Sequence, residues 1–168
     1  MEIINKNIQN DTYERLINYA YKKCNMITMG FYIHNNSNYE KFNKKVRQLQ
    51  TELVNNYPNS FIAKKEEYYW LTQIKHNYDT YFFQFSKELK DYLLINKNLY
   101  NWNNPEFPTD IGFFKDGKCW LRAVPHERMC DIFVENEKEY NHLKKIGLEF
   151  LEGNYRIIFE DEIQIENI

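Results

Sequence analysis

The sequence predicts a single α+β domain: a mostly antiparallel sheet, centred on a hairpin or meander over 111–134, with about four helices packed on one side. Three observations lead there. Asp116-Gly117 stands between two apolar runs, and a two-residue type I′ turn needs positive φ at both of its central positions. Apolar residues recur at helical spacing in several segments, most clearly Tyr39, Phe42, Val46, Leu49 and Leu53. The chain has 168 residues, 43% hydrophobic and 27% charged, with no Gly/Ser linker, charge block or internal repeat to divide it, so one ordinary core is expected.

The elements follow in order. Asp11 with Glu14 forms a variant of the capping box, and Tyr13, Leu16, Ile17, Ala20 and Cys24 then share a face, which predicts a helix over 11–24. Ile27 to Ile33 is a β-rich run. Ser37 with Glu40 predicts the start of the second helix, which Tyr57-Pro58 ends. Residues 61–75 and 78–85 read as two strands joined at His76-Asn77. Ser86 opens a short helix carrying Leu89, Tyr92 and Leu93, and 96–108 is an Asn-rich loop holding Trp102.

Pairing across Asp116-Gly117 sets Phe113 opposite Trp120 and Phe114 opposite Cys119. Ile111, Phe113, Trp120 and Arg122 then share one face, and Gly112, Phe114, Cys119, Leu121 and Ala123 the other. Pro125-His126-Glu127 turns the chain, and 128–134 returns as a third strand. Asn136 with Glu139 caps a helix closed by Gly147, and strands are expected over 148–151 and 155–165.

Composition bounds the function. A net charge of −2 carries no basic excess, so nucleic acid is not an expected partner. No run of 18 apolar residues exists to cross a membrane, and the first residues lack a basic stretch followed by an apolar one, so the expectation is cytoplasmic. Three cysteines, Cys24, Cys119 and Cys130, are unlike a disulfide scaffold. Phe, Tyr, Met, Ile, Asn and Lys make up about half of the chain, the bias of AT-rich codons, which points to a low-GC bacterium or its phage.

The segment from Pro105-Glu106-Phe107-Pro108-Thr109-Asp110-Ile111-Gly112-Phe113-Phe114 through Gly117-Lys118-Cys119-Trp120 to His126-Glu127 resembles a group of small proteins of low-GC Gram-positive bacteria, often labelled "stage III sporulation protein AH". Their pattern runs Pro-Glu-Asp-Leu-x-Phe-Phe, then Gly-Lys-Cys-Trp-Leu, then a His-Glu pair. The likeness covers roughly 78–150, with departures at Phe107, Thr109, Gly112 and Pro125. It implies the hairpin-helix unit and a Gram-positive setting, and supplies no catalytic residues.

Candidate chemistry centres on 119–131. His126 and Glu127 could act as an acid–base pair with Arg122 holding an anion, provided the turn bends neighbours together that an extended strand would point apart. Cys119 is a candidate nucleophile with His126 as its base. No C-x-x-C or H-x₃-H spacing exists, so no metal is expected, and with five glycines and no phosphate-loop pattern no cofactor is expected. Tyr68 and Trp70, behind Glu66-Glu67, and Trp102 and Trp120 are candidate binding anchors, since large rings offer area at low rotamer cost. The leading expectation is a non-enzymatic factor that binds and neutralises another protein, as immunity and phage counter-defence proteins do. The alternatives are a binder of, or enzyme acting on, a small anionic ligand through Arg122, His126 and Glu127, and a housekeeping or sporulation-associated regulator.

Overall fold

The structure, a computed structural model, describes residues 8–66 and 77–150. Within them the elements run α1 (Asn10–Lys23), β1 (Met26–Tyr32), α2 (Glu40–Asn56), β2 (Phe61–Glu66), β3 (Tyr78–Gln84), α3 (Lys87–Leu94), β4 (Thr109–Lys115), β5 (Lys118–Val124), β6 (Met129–Ile132) and α4 (Glu137–Lys145). The strands form one antiparallel sheet in the order β2-β3-β1-β4-β5-β6. The four helices contribute to a single apolar core with Ile27, Met29 and Phe31 of β1, Tyr81 and Phe83 of β3, and Ile111 and Phe113 of β4. This is the α+β arrangement the patterning predicts. Of the further expected strands, residues 67–76 and 151–168 lie outside the described residues.

The central strands β3, β1 and β4 are buried almost end to end, so they read as continuous apolar runs rather than alternations. One consequence is that the face turned away from the core also lies out of water, with Thr28, Thr80, Phe82 and Phe114 all buried. The outer strand β2 alternates half-buried and exposed, as a strand at the margin does.

Local signals explain most element boundaries. Ser86 accepts from the Leu89 amide and Asn136 from the Glu139 amide, the N-caps expected of α3 and α4. Gly147 at φ +102° ends α4 with bonds from its own amide to Lys144 and from Leu148 to Leu143. Asp116 and Gly117 both hold positive φ at the hairpin turn.

Two expected caps are corrected. The first helix starts at Asn10, not Asp11, because Gln9 bridges to Asn98 and the Asn10 amide bonds to the Lys97 carbonyl, so the entry to α1 is fixed by chain pairing. At the second helix Asn36, not Ser37, accepts from the Asn38 amide; that short side chain closes a single 3₁₀ turn before α2 begins at Glu40.

The hairpin register is also corrected. Phe114 does pair with Cys119, but a bulge follows, and Phe113 pairs with Leu121 and Gly112 with Arg122. The extra residue is Trp120, so both Trp120 and Leu121 belong to the core while Arg122 takes the opposite face with Gly112.

A buried carboxylate ties the far side of the sheet to the helices. Glu139 of α4 is 4% exposed and accepts from the Trp120 indole N–H at 3.0 Å, the Tyr19 hydroxyl at 3.3 Å and the Glu135 amide at 2.8 Å, with the Lys23 ammonium 2.8 Å away. Removing one partner of a buried ion pair strands the other, at about 3–5 kcal/mol. Glu139→Ala is expected to lose about 3 kcal/mol in urea unfolding, whereas Lys115→Ala, which removes an exposed partner of Glu135, costs under ~1 kcal/mol.

Candidate functional site

The strongest concentration of polar chemistry lies where β1, β3, β4 and β5 reach one end of the sheet. Its centre is Asp110. Between Thr28 and Gly30 of β1 the register with β4 shifts, Thr28 facing Gly112 but Gly30 facing Thr109, so Asp110 and Ile111 share the space opposite one residue. Asp110 sits in this bulge with φ 47°, a left-handed conformation that is costly for a residue other than glycine. Such conformations persist where the surroundings dictate them, and they concentrate at functional positions.

The surroundings here are specific. The Tyr78 hydroxyl donates to Asp110 Oδ2 at 2.8 Å, and the Thr109 hydroxyl lies 3.3 Å from Oδ1. Tyr78 reaches that position because it crosses Gly30: a Cβ there would lie 1.6 Å from the Tyr78 oxygen, so any side chain at position 30 would push the phenol off Asp110.

The chain after β5 completes the cluster. Pro125–Glu127 form a single 3₁₀ turn, closed by Arg128 at φ 53° with its amide bonded to the Pro125 carbonyl. That turn places His126 and Glu127 on one side, which an extended strand could not do. His126 Nδ1 lies 3.9 Å from Asp110 Oδ1 and its Nε2 lies 3.6 Å from Glu127 Oε1. Both separations exceed a direct hydrogen bond. His126 and Glu127 are half exposed, while the Asp110 side chain is 3% exposed. The geometry is therefore an accessible imidazole between one buried and one solvated carboxyl group. An imidazole so placed can take or give a proton.

Asp110 is a site member that sequence reasoning missed, although it stands in the quoted segment. The available signal was an aspartate inside an otherwise apolar strand, a residue type that strands disfavour.

The other candidates fall elsewhere. Arg122 is bonded through Nε and Nη2 to Asp131 Oδ2 at 2.8 and 2.7 Å, so its charge is matched across the β5–β6 pair and no anion clamp is built from it. Cys119 is at the opposite end of β5 from His126, five residues before the strand ends, or about 16 Å at ~3.3 Å per residue. The expected Cys119–His126 couple is thus not formed. Trp102 and Trp120 are interior rather than surface anchors. Trp102 is fully buried against Tyr92 and Phe107 and donates to the Tyr13 hydroxyl at 2.9 Å, and Trp120 is held by Glu139. Tyr68 and Trp70 lie outside the described residues. Among the described residues no group of three His, Cys, Asp or Glu side chains is arranged to hold a metal ion, and no helix is long and apolar enough to cross a membrane.

Burial pushes the Asp110 carboxyl above the usual aspartate range, against the Tyr78 hydrogen bond, the neighbouring His126 and the Thr109 hydroxyl, which all pull it down. The folded chain thus binds this proton more tightly than the unfolded chain. The resulting stabilisation is complete below the unfolded value of about 3.9 and is lost as pH rises through the raised folded value. Asp110→Asn, which keeps an acceptor for Tyr78, is expected to be more stable than the parent at neutral pH. The difference should narrow as pH falls toward about 4 in urea unfolding run across the pH range; a difference that widens on acidification would contradict this.

No protein-family model, no curated protein and no solved structure matches this chain.

Proposed function

We propose that this chain is a cytoplasmic protein that binds a small polar ligand at the Asp110–His126–Glu127 cluster and exchanges a proton with it through His126. The observation that carries this reading is the bulge that sets a buried carboxyl in a left-handed conformation 3.9 Å from a half-exposed imidazole. A purely structural bulge has no need of a carboxyl whose ionisation weakens the fold, and such costs are characteristic of sites kept for function. With two carboxyls flanking one imidazole the site suits a neutral or cationic ligand bearing a polar hydrogen, rather than the anion expected of Arg122. Asp110 orients His126, Glu127 meets the ligand from the solvent side, and His126 receives the proton.

The test is thermal unfolding against a panel of amines, amides and hydroxylated metabolites. A ligand at a hundred times its Kd stabilises the native state by about 2.7 kcal/mol. At least one compound is expected to shift the parent in this way and to leave His126→Ala unshifted, while the two proteins unfold alike without ligand. Equal shifts in both, or none in the parent, count against the site.

The neutralising-factor reading keeps one observation of its own, on other residues than the tryptophans. Tyr32 and Tyr39 are 43% and 44% exposed and are joined through His34, whose ring stacks on Tyr39 with centroids 4.0 Å apart. Exposed tyrosines held in place by neighbours make good protein anchors. If this patch docks a partner, Tyr39→Ala weakens a complex pulled from host or infected cells by roughly tenfold or more without altering the unfolding midpoint; an unchanged yield of complex removes the patch.

A further inference from the structure

On the helix side of the sheet, opposite the Asp110 face, α2 and the β2–β3 pair enclose an open cavity of about 690 Å³. That volume is in the range of small-molecule sites, roughly 300–1,000 Å³. Its wall is a fixed charge network. The Lys64 ammonium lies 3.1 Å from Asp79 and 3.0 Å from Glu66, and 5.8 Å from the centre of the Tyr81 ring. The Gln50 amide, on a nearly buried side chain, donates to Asp79 at 2.8 Å. One lysine against two carboxylates leaves this wall with a charge of −1. Across α2 stands Arg47, exposed, and with no acidic partner among the described residues. The cavity is therefore polarised, negative on the strands and positive on the helix, with Ile33, Val54 and Tyr81 supplying apolar lining between.

We propose that this cavity binds a small zwitterion of the amino-acid or dipeptide class. The carboxylate of the ligand pairs with Arg47, whose planar guanidinium suits a carboxylate's two oxygens. Its ammonium meets the Asp79–Glu66 side of the network, and its side chains lie on Val54, Ile33 and the Tyr81 ring. A simple anion gains Arg47 but faces the negative wall, and a simple amine gains the wall alone, so the charge pattern selects molecules carrying both. This inference stands apart from the His126 site, with which it shares Tyr78 alone.

The experiment titrates the ¹⁵N-labelled full-length chain with pooled alanyl dipeptides at millimolar concentration and follows backbone amide shifts. Saturable shifts are expected at Gln50, Thr51, Asn55 and Asn77. N-acetylation and C-amidation of the responding dipeptide should each weaken binding about tenfold, by loss of one charge contact. In Arg47→Ala, a surface change that leaves the helix intact, the free acid and its amide should bind alike. Absence of saturable shifts at these residues overturns the proposal. So does an acid-over-amide preference that survives in Arg47→Ala, or inorganic phosphate competing as well as the dipeptide. Because His126→Ala leaves this cavity untouched, failure here and failure of the His126 site are read separately.

Discussion

The carboxylate of Glu139 is the interaction on which the layered arrangement depends. Sheet and helices meet mainly through apolar contacts, which are non-directional and tolerate sliding. Glu139 is directional. It draws Trp120 of β5, Tyr19 and Lys23 of α1 and the chain entering α4 onto two oxygen atoms. A buried charge with fewer donors would be costly, so the set is satisfied together or not at all. The bulge at Trp120 keeps that indole turned inward toward Glu139 while Leu121 joins it in the core. The position of the bulge in turn decides that Arg122 faces away from the core and meets Asp131.

Bulges interrupt both of the neighbouring strands β4 and β5, the one in β5 near the Asp116-Gly117 turn and the one in β4 at the functional end. In β5 the extra residue brings a large ring into the core. In β4 it inserts a carboxyl, Asp110, and the backbone there takes a conformation that Tyr78, Thr109 and the close approach at Gly30 jointly hold. The proposed proton-transfer cluster and the polarised cavity lie on opposite faces of this same end. Successive residues of a strand face opposite layers, which is why one short stretch of β3, Tyr78 to Tyr81, serves both.

Signals that depend on backbone chemistry were legible in the sequence. Asp116-Gly117, Ser86, Asn136 and Gly147 each behave as their side chains dictate, since turns and caps are decided within a few residues. The four amphipathic helices followed from periodicity for the same reason. What escaped was set at long range. The Phe113–Trp120 pairing assumes uninterrupted alternation, and a bulge stabilised by a carboxylate on α4 leaves no trace in the local pattern. The caps at Asp11 and Ser37 gave way to contacts with residues 97–98 and to Asn36. His126 and Glu127 were found as residues but not as a site, because their partner Asp110 reaches them through the fold. Trp102 looked like a loop anchor, yet Tyr13, 89 positions earlier, takes its N–H into the core.

Tyr78 borders the cavity and donates its hydroxyl to Asp110 across Gly30, so one residue of β3 adjoins both sites. Thermodynamic linkage makes any such sharing reciprocal. An occupant that draws the phenol away from Asp110 removes a bond favouring the carboxylate form, and so tightens that group's hold on its proton. By the same relation, protonation of Asp110 turns a charge-assisted bond from the phenol into a weaker neutral one. The absence of a side chain at Gly30 is what admits the phenol to this place: it fills the space a Cβ would take, so a side chain at position 30 would separate Tyr78 from Asp110 and with it the two sites.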